Sequence, residues 1–214
     1  TKVHMEVNRY SHQGREVILI GHTGHPEVVG TMGRYDTSHG GRIILVETVD
    51  EVANIEVKNP SGLAFVSQTT LSVDDTREII EALRERFPEI AAPRTDDICY
   101  ATQNRQDAVK DLCEKVDILF VVGATNSSNS NRLRELGERS GISAYLIADA
   151  DAIDPDTIKP NMKVGISAGA SAPEILVQRV VERLQSLGAQ SVQESKGIEE
   201  TISFSIPRQL RNAK

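Results

Sequence analysis

Three side chains suited to proton and anion chemistry, His22, His25 and Glu27, fall in the stretch "GHTGHPEVVGTMG" (Gly21–Gly33). An imidazole beside a carboxyl group can contact an anion and hold or release a proton near neutral pH. Pro26 separates His25 from Glu27 and favours extended backbone at His25. A zinc site would ask for helical His spacing or a nearby Cys, and neither is present. A Gly-rich turn with a capping Glu at a helix start accounts for the same residues, and residue types alone do not separate the two readings.

A second stretch raises a different chemistry. "GATNSSNSNRLREL" (Gly123–Leu136) follows the apolar run "DILFVV" (Asp117–Val122) and leads into a helical pattern. Capping a helix takes one side-chain oxygen, and this segment offers several hydroxyls and amides. The surplus points to an uncharged, hydrogen-bonding cradle for an anion, helped by the free N–H groups and positive end of the helix. Arg132 and Arg105 are the nearest basic residues in sequence, so hydroxyls, amides and helix ends would carry phosphate binding. The phosphate-loop signature is absent, and "GISAGASAPE" is not a dinucleotide fingerprint.

The two cysteines differ in setting. Cys99, in "TDDICYATQNRQ", precedes a helix, where a thiolate is stabilised; its residues leave it between a core role and a site role. Cys113 shares a helical face with Val109, Leu112 and Val116 and is expected to be a buried core thiol. One thiolate cannot hold an iron–sulfur cluster by itself.

These residues need elements to position them. Apolar, β-branched runs predict strands at Val17–Ile20, Ile43–Val46, Leu63–Ser67, Ile118–Val122, Ala144–Ile147 and Val164–Ser167. Amphipathic spacing predicts helices at Lys2–Ser11, Asp74–Phe87, Arg105–Lys115, Ser130–Ser140 and Ala172–Leu187, with a short one at Val49–Ile55. Alternating strands and helices imply α/β architecture with parallel sheets. "PEIAAPRTDD" (Pro88–Asp97) breaks the pattern with two prolines and acidic residues. It divides the chain into two similar small parallel-sheet α/β domains, 1–93 and 94–188, followed by a C-terminal tail, 189–214. The alternating piece Thr201–Ile206 in that tail is read as an extra strand or arm. A loose repeat of apolar strand, small polar loop and helix start recurs in "VILIGHTGHPEV", "LAFVSQTTLSVDDT", "ILFVVGATNSSNSNR" and "VGISAGASAPEI". Ligands of open α/β sheets sit at the carboxyl ends of strands, so these four loops are the candidate site, although each alone also passes for an ordinary N-cap.

Composition narrows the function classes. A net charge of −7, no Trp and 4% aromatic residues make a poor nucleic-acid binder. No run approaches the roughly 18 apolar residues of a membrane span. Neither a signal core near the start nor a disulfide framework is present, so a reducing, cytoplasmic setting is expected.

In order, "GHTGHPEVVGTMG", "SQTTLSVDDT", "DDICYATQNRQ", "GATNSSNSNRL" and "AGASAPE" closely resemble the 4-hydroxy-3-methylbut-2-enyl diphosphate reductase (LytB) family, over essentially the whole chain. The resemblance implies three similar α/β domains in pseudo-threefold arrangement around a 4Fe–4S cluster. It further implies a two-electron reductive dehydroxylation, the terminal step of the methylerythritol phosphate route, yielding isopentenyl and dimethylallyl diphosphates. By the same resemblance, Ser127, Ser128, Asn129 and Ser171 would hold the substrate diphosphate, and His25 would contact its diphosphate side. Glu27 would serve the proton relay to the leaving hydroxyl, with Thr69 hydrogen-bonding nearby, and Cys99 would be one of three cluster thiolates. The implied partners are an allylic diphosphate and an electron donor such as flavodoxin or ferredoxin, with neither nucleic acid nor membrane. Against that pattern the chain reads as the second and third domains plus tail, without the N-terminal domain that carries the other cluster ligands. A non-redox module binding small phosphate esters through the same loops is the alternative.

Overall fold

The structure is a computed structural model, and it describes residues 2–93 and 98–195. Two three-stranded, fully parallel sheets form the framework. The first orders its strands β2–β1–β3, from β1 (Val17–Ile20), β2 (Ile43–Val46) and β3 (Ala64–Ser67). The second orders them β5–β4–β6, from β4 (Ile118–Val122), β5 (Ser143–Ile147) and β6 (Val164–Ala168). The sequence repeat therefore appears as two copies of one topology.

Each sheet is covered on both faces, which is why its central strand is apolar at every position. Ile18, Ile20 and Phe65 pack with Ile79 and Leu83 of α4 (Val73–Arg86) and Val52 of α3 (Val49–Val52). Val17, Leu19 and Val66 point the other way, onto Val3, Val7 and Tyr10 of α1 (Lys2–His12) and Val28 of α2 (Pro26–Met32). The second sheet repeats the division. Leu119 and Val121 meet Val109 and Cys113 of α5 (Tyr100–Cys113) and Leu133 and Leu136 of α6 (Ser128–Arg139), while Ile118, Phe120 and Val122 meet Val180 and Leu184 of α7 (Glu174–Ser186).

Differences from the sequence reading have local causes. α5 begins at Tyr100 rather than Arg105, because Cys99 takes the extended N-cap conformation and its carbonyl accepts from Thr102 and Gln103. α2 occupies the Gly-rich stretch that was open between a site and a turn. Pro26 at its first position has no N–H to leave unsatisfied, and the His25 side chain caps it. α3 is a single turn. The linker is tied down before its undescribed part, 94–97: Ala91 bridges to the edge of β3 at Ala64, and Tyr10 donates its hydroxyl to the Ala92 carbonyl at 2.9 Å. The alternating piece at Thr201–Ile206 lies outside the described residues.

Glu16 anchors the start of β1. It is only 5% exposed; its carboxylate accepts from Arg42 Nε at 2.8 Å and from the backbone N–H groups of Lys58 and Asn59 at 2.6 and 3.2 Å. Burial pushes its pKa up, but the Arg42 bond and the two amides outweigh burial and hold it below the ordinary carboxylate range. A carboxyl with a lowered folded pKa contributes stability above its unfolded pKa of about 4.3, and loses it as pH falls through the folded value. Glu16→Gln is thus expected to cost about 1.5–3 kcal/mol at neutral pH and to flatten the acid limb of stability, read from urea midpoints between neutral and acid pH.

Candidate functional site

In each sheet the chain leaves the central strand to one side and then crosses to the other. The reversal lies between β1 and β3, and between β4 and β6. Crevices at carboxyl strand ends open at such reversals. The loops there are Gly21–His25 and Gln68–Ser72 in the first unit, and Gly123–Ser127 and Gly169–Pro173 in the second. Topology therefore selects the four loops that the sequence repeat singled out.

Hydrogen bonds join the two loops of the first unit to each other and to the start of α6. Glu27, near the start of α2, accepts from the Thr69 N–H on both carboxylate oxygens, at 3.2 and 3.3 Å, and from Thr69 Oγ1 at 2.9 Å. Buried Gln68 runs parallel to this tie: its Oε1 accepts from the His22 N–H at 3.1 Å, and its Nε2 donates to Thr70 Oγ1. His25 caps α2 through Nδ1, which accepts the Glu27 N–H at 3.2 Å. With Nδ1 accepting, the proton of the neutral ring sits on Nε2, which lies 2.7 Å from Ser128 Oγ across the two units. The carbonyl of Thr69 accepts the Cys99 N–H at 3.1 Å. Cys99, Thr69, Glu27, His25 and Ser128 thus form one contiguous run.

The polar segment at the start of α6 divides into structural and spare groups. Ser127 is the N-cap and accepts from the N–H and hydroxyl of Ser130, at 3.3 and 3.0 Å. Asn131 ties the loop back by donating to the carbonyls of Thr125 and Ser127. Ser130 is wedged between strand ends: a Cβ on Gly123 or Gly169 would lie 2.2 Å from its Oγ, so a side chain at either position would force Ser130 to move. What remains is Ser128, facing His25, and Asn129. Asn129 is 6% exposed, and neither its amide oxygen nor its amide nitrogen has a partner. A buried amide with both ends unpaired costs free energy, which a bound partner with complementary donors and acceptors would recover. Ser171 is exposed, two residues beyond Gly169, and its hydroxyl has no partner among the described residues.

Cys99 is exposed at the N-cap of α5, with no capping bond from its sulfur, whereas Cys113 is buried, and burial pushes its thiol pKa up. A thiol reagent is expected to modify Cys99 first in the native protein; faster loss of Cys113 would reverse the assignment. Among the described residues no group of three or more His, Cys, Asp or Glu side chains could hold a metal ion. A 4Fe–4S cluster wants three or four thiolates, so Cys99 suits one ligand position and the described residues do not complete the set.

Sequence reasoning passed over the residues that lock the units together. Gln106, fully buried, donates to the Leu71 carbonyl at 2.8 Å and accepts the Val73 N–H at 3.0 Å. Its signal was present: it continues the Val109–Cys113 apolar face by one turn, where a polar residue needs a partner. Asp75 on α4 takes a two-pronged bond from Arg139 on α6, at 2.6 and 2.9 Å, and that guanidinium is the main reason its pKa lies below the usual range. Both side chains are well exposed, so solvent screening leaves this pair a small stability term.

Comparison with known proteins agrees with this architecture. The family model described as LytB protein matches residues 1–185. A 4-hydroxy-3-methylbut-2-enyl diphosphate reductase of Chromohalobacter salexigens is 62% identical over 99% of this chain and 67% of its own length, and one of Acinetobacter baumannii is 60% identical with the same coverage. The solved structure of the E-1-hydroxy-2-methyl-but-2-enyl-4-diphosphate reductase of Plasmodium falciparum superposes with a TM-score of 0.86 at 30% identity, over 98% of this chain and 65% of that one. The chain spans about two thirds of the length of these relatives. With a family match across most of its residues, the chain belongs to the LytB protein family.

Proposed function

We propose that this chain is the substrate-binding portion of a 4-hydroxy-3-methylbut-2-enyl diphosphate reductase, made up of the two α/β domains 1–93 and 94–188 and a tail. The observation that carries this reading is the meeting of a carboxylate clamp, Glu27 with Thr69, and an unpartnered buried amide, Asn129, around one interdomain contact, His25 with Ser128. Ser128, Asn129 and Ser171 present neutral donors at the start of α6 and α7, and Ser127, whose Oγ accepts from Ser130, still has its own hydroxyl proton to give. Helix N-termini favour an anion, so the diphosphate is held there without a lysine or arginine. His25 donates from Nε2 toward the same place. Glu27, held by Thr69, stands across the contact as the proton source for the departing hydroxyl.

The overall change breaks one C–O bond. The oxygen leaves as water, and two electrons and two protons enter. A one-electron carrier of the flavodoxin or ferredoxin type supplies the electrons. Cys99 would supply one thiolate ligand to a 4Fe–4S cluster, a group that would deliver the electrons to the substrate. Among the described residues no helix is long and apolar enough to cross a membrane.

The test is iron and sulfide content, together with turnover of 4-hydroxy-3-methylbut-2-enyl diphosphate, in the full-length protein under reducing conditions. Isopentenyl and dimethylallyl diphosphates are expected. A full-length protein that binds the diphosphate but holds no iron and makes neither product would replace the reductase with a non-redox anion-binding module.

A further inference from the structure

We propose that Arg132 is a positioning residue of this site: through His22 it sets the β1–α2 loop, and with it Glu27, against the first turns of α6. The inference rests on the reductase reading above. Ser128 and Arg132 are four residues apart on α6, so both project from one face. His22 and His25, three apart in the β1–α2 loop, meet that face together. His25 Nε2 lies 2.7 Å from Ser128 Oγ, and Arg132 Nη2 lies 3.1 Å from His22 Nε2. One contact would leave a pivot; two contacts between the same pair of segments also set rotation.

The surroundings hold Arg132 in place. Its side chain is 15% exposed, its Nη1 lies 2.5 Å from Glu135 and 3.9 Å from Asp75, and its Nε is buried without a partner. Asp75 belongs to α4 of the first unit, so Arg132 touches that unit at two elements. Arginine has no acceptor, so His22 Nε2 must accept, and the ring proton sits on Nδ1, facing Glu47 Oε2 at 3.5 Å. Glu47 in turn accepts from Thr23 Oγ1, and the His22 N–H is held by buried Gln68. With Glu135 and Asp75 beside it, the guanidinium is engaged by protein, which makes it a brace for the loop rather than a diphosphate ligand.

Displacement of a catalytic group by about 1 Å can cost on the order of 100-fold in rate. Loss of the brace frees the His22–Glu27 segment, while Ser127 and Asn129 stay on their own helix. The loss should therefore fall mainly on the chemical step, because most of the diphosphate contacts, those of Ser127, Asn129 and Ser171, stay in place.

The experiment uses full-length enzyme: Arg132→Gln, His22→Gln, the double variant and Arg132→Lys, with melting curves and the imidazole 15N resonances of His22. Expected are a fall in kcat of about 10- to 100-fold for each Gln variant with KM nearly unchanged, and a double variant no worse than the poorer single one. Arg132→Lys should recover part of the rate, since it keeps the charge but not the planar fork. It also serves as the folded comparison if Arg132→Gln melts early. The His22 resonances should report an Nδ1–H ring with a hydrogen-bonded Nε2 in the wild type, and lose that bond in Arg132→Gln. Wild-type turnover in a folded Arg132→Gln, losses that multiply in the double variant, or a defect expressed mainly in KM would each overturn the positioning role. Failure of the wild type itself to turn over would sink the reductase reading instead, and the His22 resonances would still decide whether the brace exists.

Discussion

Glu27→Gln in the full-length enzyme is expected to lower turnover by about 10²–10⁴-fold while leaving substrate affinity close to that of the wild type. The site explains why the two quantities separate. Glu27 receives the Thr69 N–H and the Thr69 hydroxyl, so its place in the crevice is set by protein contacts and not by substrate. A glutamine oxygen can accept the same N–H, and the Thr69 hydroxyl can turn to accept from the new amide. Shape and anchoring survive, but the proton does not: an amide has none to release to a departing hydroxyl, and that deficit appears only in the transition state. Thr69→Val is the control. It removes one donor to the carboxylate and keeps the backbone N–H, so it should cost about 0.5–1.5 kcal/mol, or a few-fold to about tenfold in rate. The measurements are steady-state turnover and substrate affinity for both variants. Near wild-type turnover in Glu27→Gln with only affinity reduced would leave Glu27 as a tie between loops and remove it from the proton path.

The strands were legible because a sheet covered on both faces has a simple demand: Val17–Ile20 and Ile118–Val122 are apolar at every position, and every one of those residues is buried. The four candidate loops were legible because the same topology occurs twice and leaves similar polar turns at equivalent strand ends. α2 was less so. Its start is made by a histidine cap and a proline, and its seven residues are too few to build a clear apolar stripe. Cross-unit contacts were the least legible. Arg132 reads as one more charge on a charged helix, and its partner His22 lies 110 residues away in the chain. Gln106 and Gln68 were hidden for a related reason: a glutamine bonding to loop backbone has no pattern of its own until the loops have been brought to it.

Asn129→Leu is expected to move stability and binding in opposite directions. Most residues of the polar segment are already spoken for: Ser127 caps, Ser130 fills the gap between two glycines, and Asn131 ties back the turn. Asn129 is the exception, buried with an unpaired oxygen and an unpaired nitrogen. Leaving such groups without partners costs about 1–3 kcal/mol, a penalty absent when the side chain is apolar and similarly branched. The ligand-free protein should therefore unfold at higher denaturant concentration, by about 1–2 kcal/mol. If the amide is retained to bind a diphosphate, the same change removes a hydrogen bond to a charged group. Affinity should then fall by about 1.5–3 kcal/mol, or roughly 10- to 150-fold. A purely structural asparagine would lose stability and leave affinity alone. Urea denaturation without ligand and titration with the allylic diphosphate separate the cases. A destabilised variant that binds as tightly as the wild type would take Asn129 out of the site and leave the diphosphate to Ser127, Ser128, Ser171 and His25.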